Sequence, residues 1–261
     1  MTSNVMRNVI SEVNNGFQKI TLNRPTKKNA ITQEMYEEMT ILLNESASNE
    51  SIHMLVVTGA GDFYSSGNDM SSYSFFNETS LNSRLSNQVA AYKNFVDSLI
   101  LYPKLLIALV NGPAIGIAAT TLGLFDIVYA SDKAYFHTPF SLLGLVAEGC
   151  STYTFPKILG SSKAGEMLYL GYKLNAFEAK QRGFVSEIFQ DDEINKVWSR
   201  LNGISRLSKE SITATKRLVR KWDQSVLLNV NDNEAKEVLR RLDSPDFIEG
   251  ITAFGRRNSK M

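Results

Sequence analysis

Three stretches of this chain carry residue types that could do chemistry. Ser65-Ser66-Gly67-Asn68-Asp69 and Gly112-Pro113-Ala114-Ile115-Gly116-Ile117 each follow a short apolar run, the second directly ahead of a small-residue helix. Small residues there let the backbone approach a ligand. In open α/β sheets ligands sit at strand ends, and free N–H groups at helix N-termini attract anionic oxygen. Glycine-rich turns occur in every fold, so neither junction identifies a site alone. The third stretch is Glu148 in Leu143-Gly144-Leu145-Val146-Ala147-Glu148-Gly149-Cys150, where little else is polar. A carboxylate among apolar neighbours has a raised pKa, which suits proton transfer near neutral pH. The position fits equally well an acidic residue at the N-terminus of a helix starting near Ser151.

Other candidates carry less. Cys150, between Gly149 and Ser151, reads as a small packed residue rather than a nucleophile. His137 reads as a buried hydrogen-bonded ring rather than a base. No Gly-x-Ser-x-Gly elbow supports a hydrolase triad. The junctions match neither the Gly-x-x-x-x-Gly-Lys-Ser/Thr nor the Gly-x-Gly-x-x-Gly pattern, which argues against nucleotide triphosphatases and dinucleotide enzymes.

The elements that position these residues follow from periodicity. Val9–Val13 and Phe17–Leu22 predict a strand pair around Asn14-Asn15-Gly16. Thr32 is a candidate N-cap for a helix with Met35, Met39, Leu42 and Leu43 on its apolar stripe. Met54–Thr58 and Leu105–Val110 predict buried strands, separated by a helix carrying Val89, Tyr92, Val96 and Leu99 that ends before Pro103. Phe125–Ala130 and Phe184–Phe189 predict further strands. Helices are expected over Ala164–Leu170, Ala176–Arg182, Glu193–Leu201, Lys209–Trp222 and Asn233–Leu242. The early rhythm of strand, turn, helix and strand predicts an α/β core with parallel strands and crossover helices. A helical region follows.

The 261 residues fit one compact α/β unit, and 43% apolar residues supply a core. Lys and Arg total 28 against 27 Asp and Glu, so nothing in the balance points to nucleic acid or an anionic membrane. One cysteine excludes an intrachain disulfide and suggests a reducing compartment, and two histidines argue against structural zinc. No apolar run reaches the roughly 18 residues of a membrane span, and no signal-peptide pattern opens the chain. Neither secretion nor membrane insertion is expected. Ser259-Lys260-Met261 differs from the peroxisomal Ser-Lys-Leu address only in its last residue, so a peroxisomal location is expected, with mitochondrion or cytoplasm otherwise.

Taken together and in order, Asn23-Arg24-Pro25 with Asn29-Ala30, Tyr64 to Asp69, and Asn111 to Gly116 through Asp126 resemble the crotonase (enoyl-CoA hydratase/isomerase) superfamily over nearly the whole chain. Phe136-His137-Thr138-Pro139-Phe140, Glu148-Gly149-Cys150-Ser151 and Phe155-Pro156-Lys157 are similar to its peroxisomal Δ3,Δ2-enoyl-CoA isomerases. The resemblance implies a spiral of ββα units over residues 1–200 and a C-terminal helical trimerisation region over 201–261. It implies an oxyanion hole from the Asn68 and Ile117 N–H groups and catalysis by Glu148. Coenzyme A would run along Lys27, Lys28, Ala30, Ser66, Gly67, Asn68, Asp69, Met70, Gly116 and Phe140, with Arg257 meeting phosphate. No cofactor or metal is implied, the CoA thioester being the substrate. Partners would be an acyl-CoA thioester and further copies of the chain as a homotrimer or dimer of trimers.

Hydratases of the superfamily use two glutamates, and the equivalent positions here are Thr120 and Phe140, which disfavours hydration. Leu145-Val146-Ala147 stands where relatives carry a polar residue and Ser-Pro, which bears on how Glu148 is aimed. The acyl-CoA-binding domain fused to several members is not present in these residues. The competing readings are a non-catalytic acyl-CoA-binding module, as in chromatin-associated relatives that lack the glutamate, and another crotonase reaction such as hydration.

Overall fold

The computed structural model describes residues 7–70, 81–204 and 206–258. The chain opens with the hairpin β1 (Val9–Asn14) and β2 (Phe17–Leu22). Asn15 and Gly16 both take positive φ between them, the conformation that a tight two-residue hairpin demands and Asn-Gly supplies. In α1 (Gln33–Ser48) Thr32 is the N-cap, its hydroxyl accepting from the Met35 N–H at 3.4 Å. There follow β3 (Met54–Gly59), α2 (Leu81–Leu101), β4 (Leu105–Val110), β5 (Ala114–Ile115), the single turn α3 (Ile117–Thr120), β6 (Ile127–Ser131) and β7 (Tyr135–His137). Next come α4 (Ser151–Leu159), α5 (Ser161–Leu170), β8 (Leu174–Asn175), α6 (Ala176–Gln181) and β9 (Glu187–Phe189). The helices α7 (Ile194–Ile204), α8 (Lys209–Arg220), α9 (Gln224–Leu242) and α10 (Pro245–Asn258) complete the described chain.

The main sheet has the order β1-β2-β3-β4-β6-β9, parallel except for the β1–β2 pair. Its central strand β4 is apolar throughout because both faces are covered. Leu106, Ala108 and Val110 join the larger core, shared with α1, α2 and α4, while Ile107 and Leu109 meet Met54, Val56 and Leu201 beneath α7. α7 crosses residue 200, so the cover of the sheet runs on into the C-terminal helices.

A second layer, β5-β7-β8 plus the single bridges Ile31↔Asn68 and Ser65↔Ala114, lies beyond the ends of the main strands. Its pieces are one to three residues long, too short to show a period, and none was expected as a strand. Repeatedly a main strand leads to a short piece of this layer and then to a helix: β2, Ile31, α1; β3, Ser65 to Asn68, α2; β4, β5, α3; β6, β7, α4. This is the crotonase spiral.

Some boundaries differ from expectation. β6 starts at Ile127, not Phe125, because the Asp126 carboxylate leaves the strand to accept from Leu106 N and to pair with Lys216 and Arg220 of α8. β9 begins at Glu187, with Phe184 and Val185 buried in the preceding turn. α8 ends at Arg220 and leaves Trp222 exposed, whereas α9 starts at Gln224, well ahead of Asn233.

Two asparagine amides hold the loop after β3. Asn29, fully buried, donates to the carbonyls of Ala60 at 2.8 Å and Phe63 at 2.7 Å and accepts from Arg24 N at 2.9 Å. Asn111 accepts from Gly59 N at 2.9 Å and donates to Gly61 O at 2.7 Å. Removing the Asn29 amide takes a donor from the part-buried Ala60 and Phe63 carbonyls, removes the acceptor of Arg24 N, and puts alanine at φ 53°. Asn29→Ala is therefore expected to lower unfolding stability by about 3 kcal/mol or more, measured by urea denaturation.

Candidate active site

Both junctions flagged in the sequence meet in the second layer. Ser65 N donates to Pro113 O at 3.2 Å and Ile115 N donates to Ser65 O at 3.0 Å, joining the two turns backbone to backbone. Gly67 has φ 85°, and a Cβ there would lie 2.6 Å from Ile115 O, so only glycine permits the approach. Gly116 faces it at φ 59°, where an added Cβ would sit 4.0 Å from the Gly67 Cα.

This packing orients two amides. Ile31 bonds the residues flanking Asn68, donating to Gly67 O and accepting from Asp69 N, so the Asn68 N–H is turned to the other side. Ile117 opens α3, and a residue at that position has no intrahelical acceptor for its N–H. Asn68 and Ile117 line one cavity of about 520 Å³, together with Ser66, Gly67, Phe140 and Glu148.

Glu148 is only 4% exposed. Its Oε1 accepts from Asn68 Nδ2 at 3.1 Å, and Asn68 Oδ1 accepts from the buried Tyr36 hydroxyl at 2.5 Å. The two bonds fix which way the amide faces. Burial pushes the Glu148 pKa up to about 8, helped by the negative charge of Glu234 and opposed by the Asn68 bond. Beyond the carboxylate an apolar recess continues past Met70, Val89, Tyr92, Val238 and Leu242.

Of the alternatives for Glu148, the helix-capping one is filled by another residue. Glu234 of α9 caps α4, accepting from Cys150 N at 2.7 Å and Thr152 N at 3.0 Å. Glu148 is left facing the cavity. The departure at Leu145-Val146-Ala147 leaves the carboxylate on the cavity that Asn68 and Ile117 line.

The remaining expected residues divide. Ser66, Gly67, Asn68, Met70, Gly116, Ile117, Phe140 and Lys28 line the cavity, Lys28 with its Nζ 5.4 Å from the Phe63 ring centroid. Lys27, Ala30 and Asp69 do not. Asp69 instead pairs with Arg24 at 2.8 Å, and Ala30 is buried with its carbonyl taken by the same guanidinium. Arg257 falls in α10, but its side chain lies outside the described residues, as do Ser259-Lys260-Met261. Thr120 is buried with its hydroxyl on Ile117 O at 3.2 Å. His137 is partly exposed on the cavity wall rather than buried, its ring hydrogen-bonded at the Gly171 backbone as expected, with its pKa lowered by partial burial and by Lys173. Cys150 is packed as expected, its thiol donating to Leu227 O at 3.4 Å and pushed up by burial. Among the described residues no cluster of three or more His, Cys, Asp or Glu could hold a metal, and no helix is long and apolar enough to cross a membrane.

Sequence reasoning missed Tyr36 and Glu234. Tyr36 sits between Met35 and Met39 and looks like ordinary core. Glu234 did carry a signal, as an acid on the buried stripe Leu227, Asn231, Ala235, Val238 and Leu242 of α9.

Comparison with known proteins agrees with this geometry. The enoyl-CoA hydratase/isomerase family model matches residues 12–260. The chain is 44% identical over 247 residues to enoyl-CoA delta isomerase 2 of Rattus norvegicus, covering 94% of this chain but only 63% of that protein, less than two thirds of its length. It is 41% identical over 256 residues to the peroxisomal enoyl-CoA delta isomerase 3 of Mus musculus, covering 97% and 80% of the two chains. The crystal structure of an enoyl-CoA hydratase/isomerase from Pseudoalteromonas atlantica T6c superposes with a TM-score of 0.87 at 28% identity, over 96% of this chain and 98% of that one. A family model matching nearly the whole chain, a relative 41% identical over four fifths of its own length, and a spiral with Asn68, Ile117 and buried Glu148 on one cavity place the chain in the enoyl-CoA hydratase/isomerase family.

Proposed function

We propose that the chain is a Δ3,Δ2-enoyl-CoA isomerase acting in unsaturated fatty acid β-oxidation. The observation that carries the reading is one buried carboxylate, Glu148, on the same cavity as Asn68 and Ile117; by the resemblance, Thr120 and Phe140 stand where a hydratase would hold its glutamates. The thioester oxygen accepts from the two N–H groups. Ionised Glu148 takes a proton from C2 of the 3-enoyl thioester, electrons shift into a dienolate with its charge on that oxygen, and the carboxyl returns the proton to C4. Each such amide is worth roughly 3–4 kcal/mol to the enolate-like transition state. Phe140 and Val146 keep water from the double bond.

The CoA moiety is assigned to Lys28, Ser66, Gly67, Asn68, Met70, Gly116 and Phe140 at the cavity, with Lys27, Ala30, Asp69 and Arg257 as outer contacts or supports. Assembly as a homotrimer or dimer of trimers and residence in the peroxisome belong to the same reading. The peroxisomal mouse relative and the Ser-Lys-Met terminus support the location.

Incubation with a 3-enoyl-CoA is expected to yield the conjugated 2-enoyl-CoA, followed by ultraviolet absorbance. Glu148→Gln is expected to lower kcat by about 10³-fold, in the range general-base removal produces. Retained turnover in that variant overturns the reading, and CoA binding without any turnover by the native chain favours a non-catalytic module.

The base works only when ionised, so kcat/KM is expected to fall about tenfold per pH unit below an apparent pKa near 8 and to level off above it.

Stability runs the other way. Folded Glu148 keeps its proton up to about pH 8, whereas the unfolded chain releases it near 4.5, so the native state loses stability as pH rises through that window. Glu148→Gln removes the penalty. Its Tm is expected to exceed that of the native chain by about 5 °C or more at pH 9 and to differ little at pH 4.5, measured by calorimetry.

A further inference from the structure

We infer that Glu234 is a positioning residue for the reaction: from α9 it clamps the turn Glu148-Gly149-Cys150 and sets a second carboxyl group behind the base. The inference rests on Glu148 being that base. Glu234 is 6% exposed, and among the described residues no cation lies within ion-pair distance of it. A buried carboxylate is tolerated only when fully hydrogen-bonded. Here the donors are Cys150 N at 2.7 Å, Thr152 N at 3.0 Å and the Thr152 hydroxyl at 2.5 Å. Burial pushes the Glu234 pKa up, and these bonds, two of them from N–H groups at the start of α4, oppose the shift by favouring the charged form.

The turn it grips is strained. Gly149 and Cys150 both take left-handed backbone, at φ 70° and 62°, and the second is not glycine. α4 has no side-chain cap of its own, since the N-cap position is Cys150. The bond from Cys150 N to Glu234, 84 residues along the chain, therefore holds the peptide that aims Glu148 at Asn68.

The charges around this pair are few. From α2, Asp97 accepts from Asn231 at 2.8 Å and pairs with Lys93. The junction presents Asp69, already paired with Arg24, and the Tyr36 hydroxyl by way of Asn68. Tyr92 of α2 shares the recess with Glu148, and the Cys150 thiol stays protonated. The ion pairs Asp232–Lys236 and Glu237–Arg240 of α9 are at the surface, and Arg241 is shared between Asp246 of α10 and Gly144 O. Glu234 is thus the unpaired charge that acts on Glu148.

The test compares Glu234→Gln and Glu234→Ala, assayed with a 3-enoyl-CoA across pH 5–10. Glu234→Gln keeps the shape and one acceptor but not the charge. Its acid limb in kcat/KM is expected to move down by about one pH unit, with KM within about twofold of native. Glu234→Ala, which frees the turn, is expected to lower plateau kcat by about tenfold or more, with Gln recovering part of the loss. A merely structural glutamate would change Tm and leave the limb where it was, and that result overturns the inference. Should neither variant fold, Thr152→Val removes one bond from the clamp, and an unchanged kcat there overturns it equally. Failure here with an inactive Glu148→Gln leaves the isomerase reading standing, whereas an active Glu148→Gln removes the isomerase reading itself.

Discussion

The site depends on two pieces of main chain lying closer than any side chain would allow. With a Cβ on Gly67 only 2.6 Å from Ile115 O, the strand ends could not be joined by the Ser65 bonds, and the Asn68 and Ile117 amides would not open on a common cavity. The rest of the spiral serves this approach. β3 and β4 lie side by side in the main sheet, so the turns that leave them are neighbours before any ligand binds. Asn29 and Asn111 then fix the loop between, each using both ends of its amide. Preorganised donors of this sort need not rearrange when charge develops, which is why they are effective.

Asn68 serves twice, with its backbone held beside Ile31 at the cavity and its side chain on Glu148. A single residue therefore ties the glycine-rich turn to the carboxylate. The carboxylate it holds is costly in a folded protein. Hydrogen bonding to Asn68 offsets part of the desolvation, but burial and the charge of Glu234 leave the acid form favoured until about pH 8. Under the proposed reaction that cost would also be the source of reactivity, since a carboxylate of ordinary pKa is a poor match for a weakly acidic C–H proton.

Much of this was legible in the residues. Apolar runs such as Leu105–Val110 marked buried strands because both of their faces are covered, and Thr32 marked a helix start because a hydroxyl must satisfy an orphan amide. Glu148 stood out as one acid in an apolar stretch. The second layer was not legible, since pieces of two or three residues carry no period. Asp69 looked like a ligand contact because it adjoins Asn68, yet strand geometry turns alternate side chains to opposite sides, and its carboxylate meets Arg24 instead. Glu234 could be linked to Glu148 only through tertiary contact, for nothing local ties α9 to the start of α4.

The same tertiary dependence shows that the C-terminal helices belong to the site as well as to any assembly. Residues 141–147, which precede Glu148, are held between the core and α10. A Cβ on Gly144 would lie 2.5 Å from the Asp246 backbone and one on Gly250 would lie 2.7 Å from that of Leu143, so these segments pack backbone to backbone. Arg241 of α9 adds a bond from Nε to Gly144 O at 3.0 Å. Leu145-Val146-Ala147 can therefore aim the carboxylate without the rigidity of a Ser-Pro pair, because α9 and α10 supply the constraint from outside the loop. Val238, Leu242, Gly250 and Ala253 complete the cavity walls from the same helices. The spiral alone places the Asn68 and Ile117 turns, but Glu148 is placed by the spiral and the C-terminal helices together.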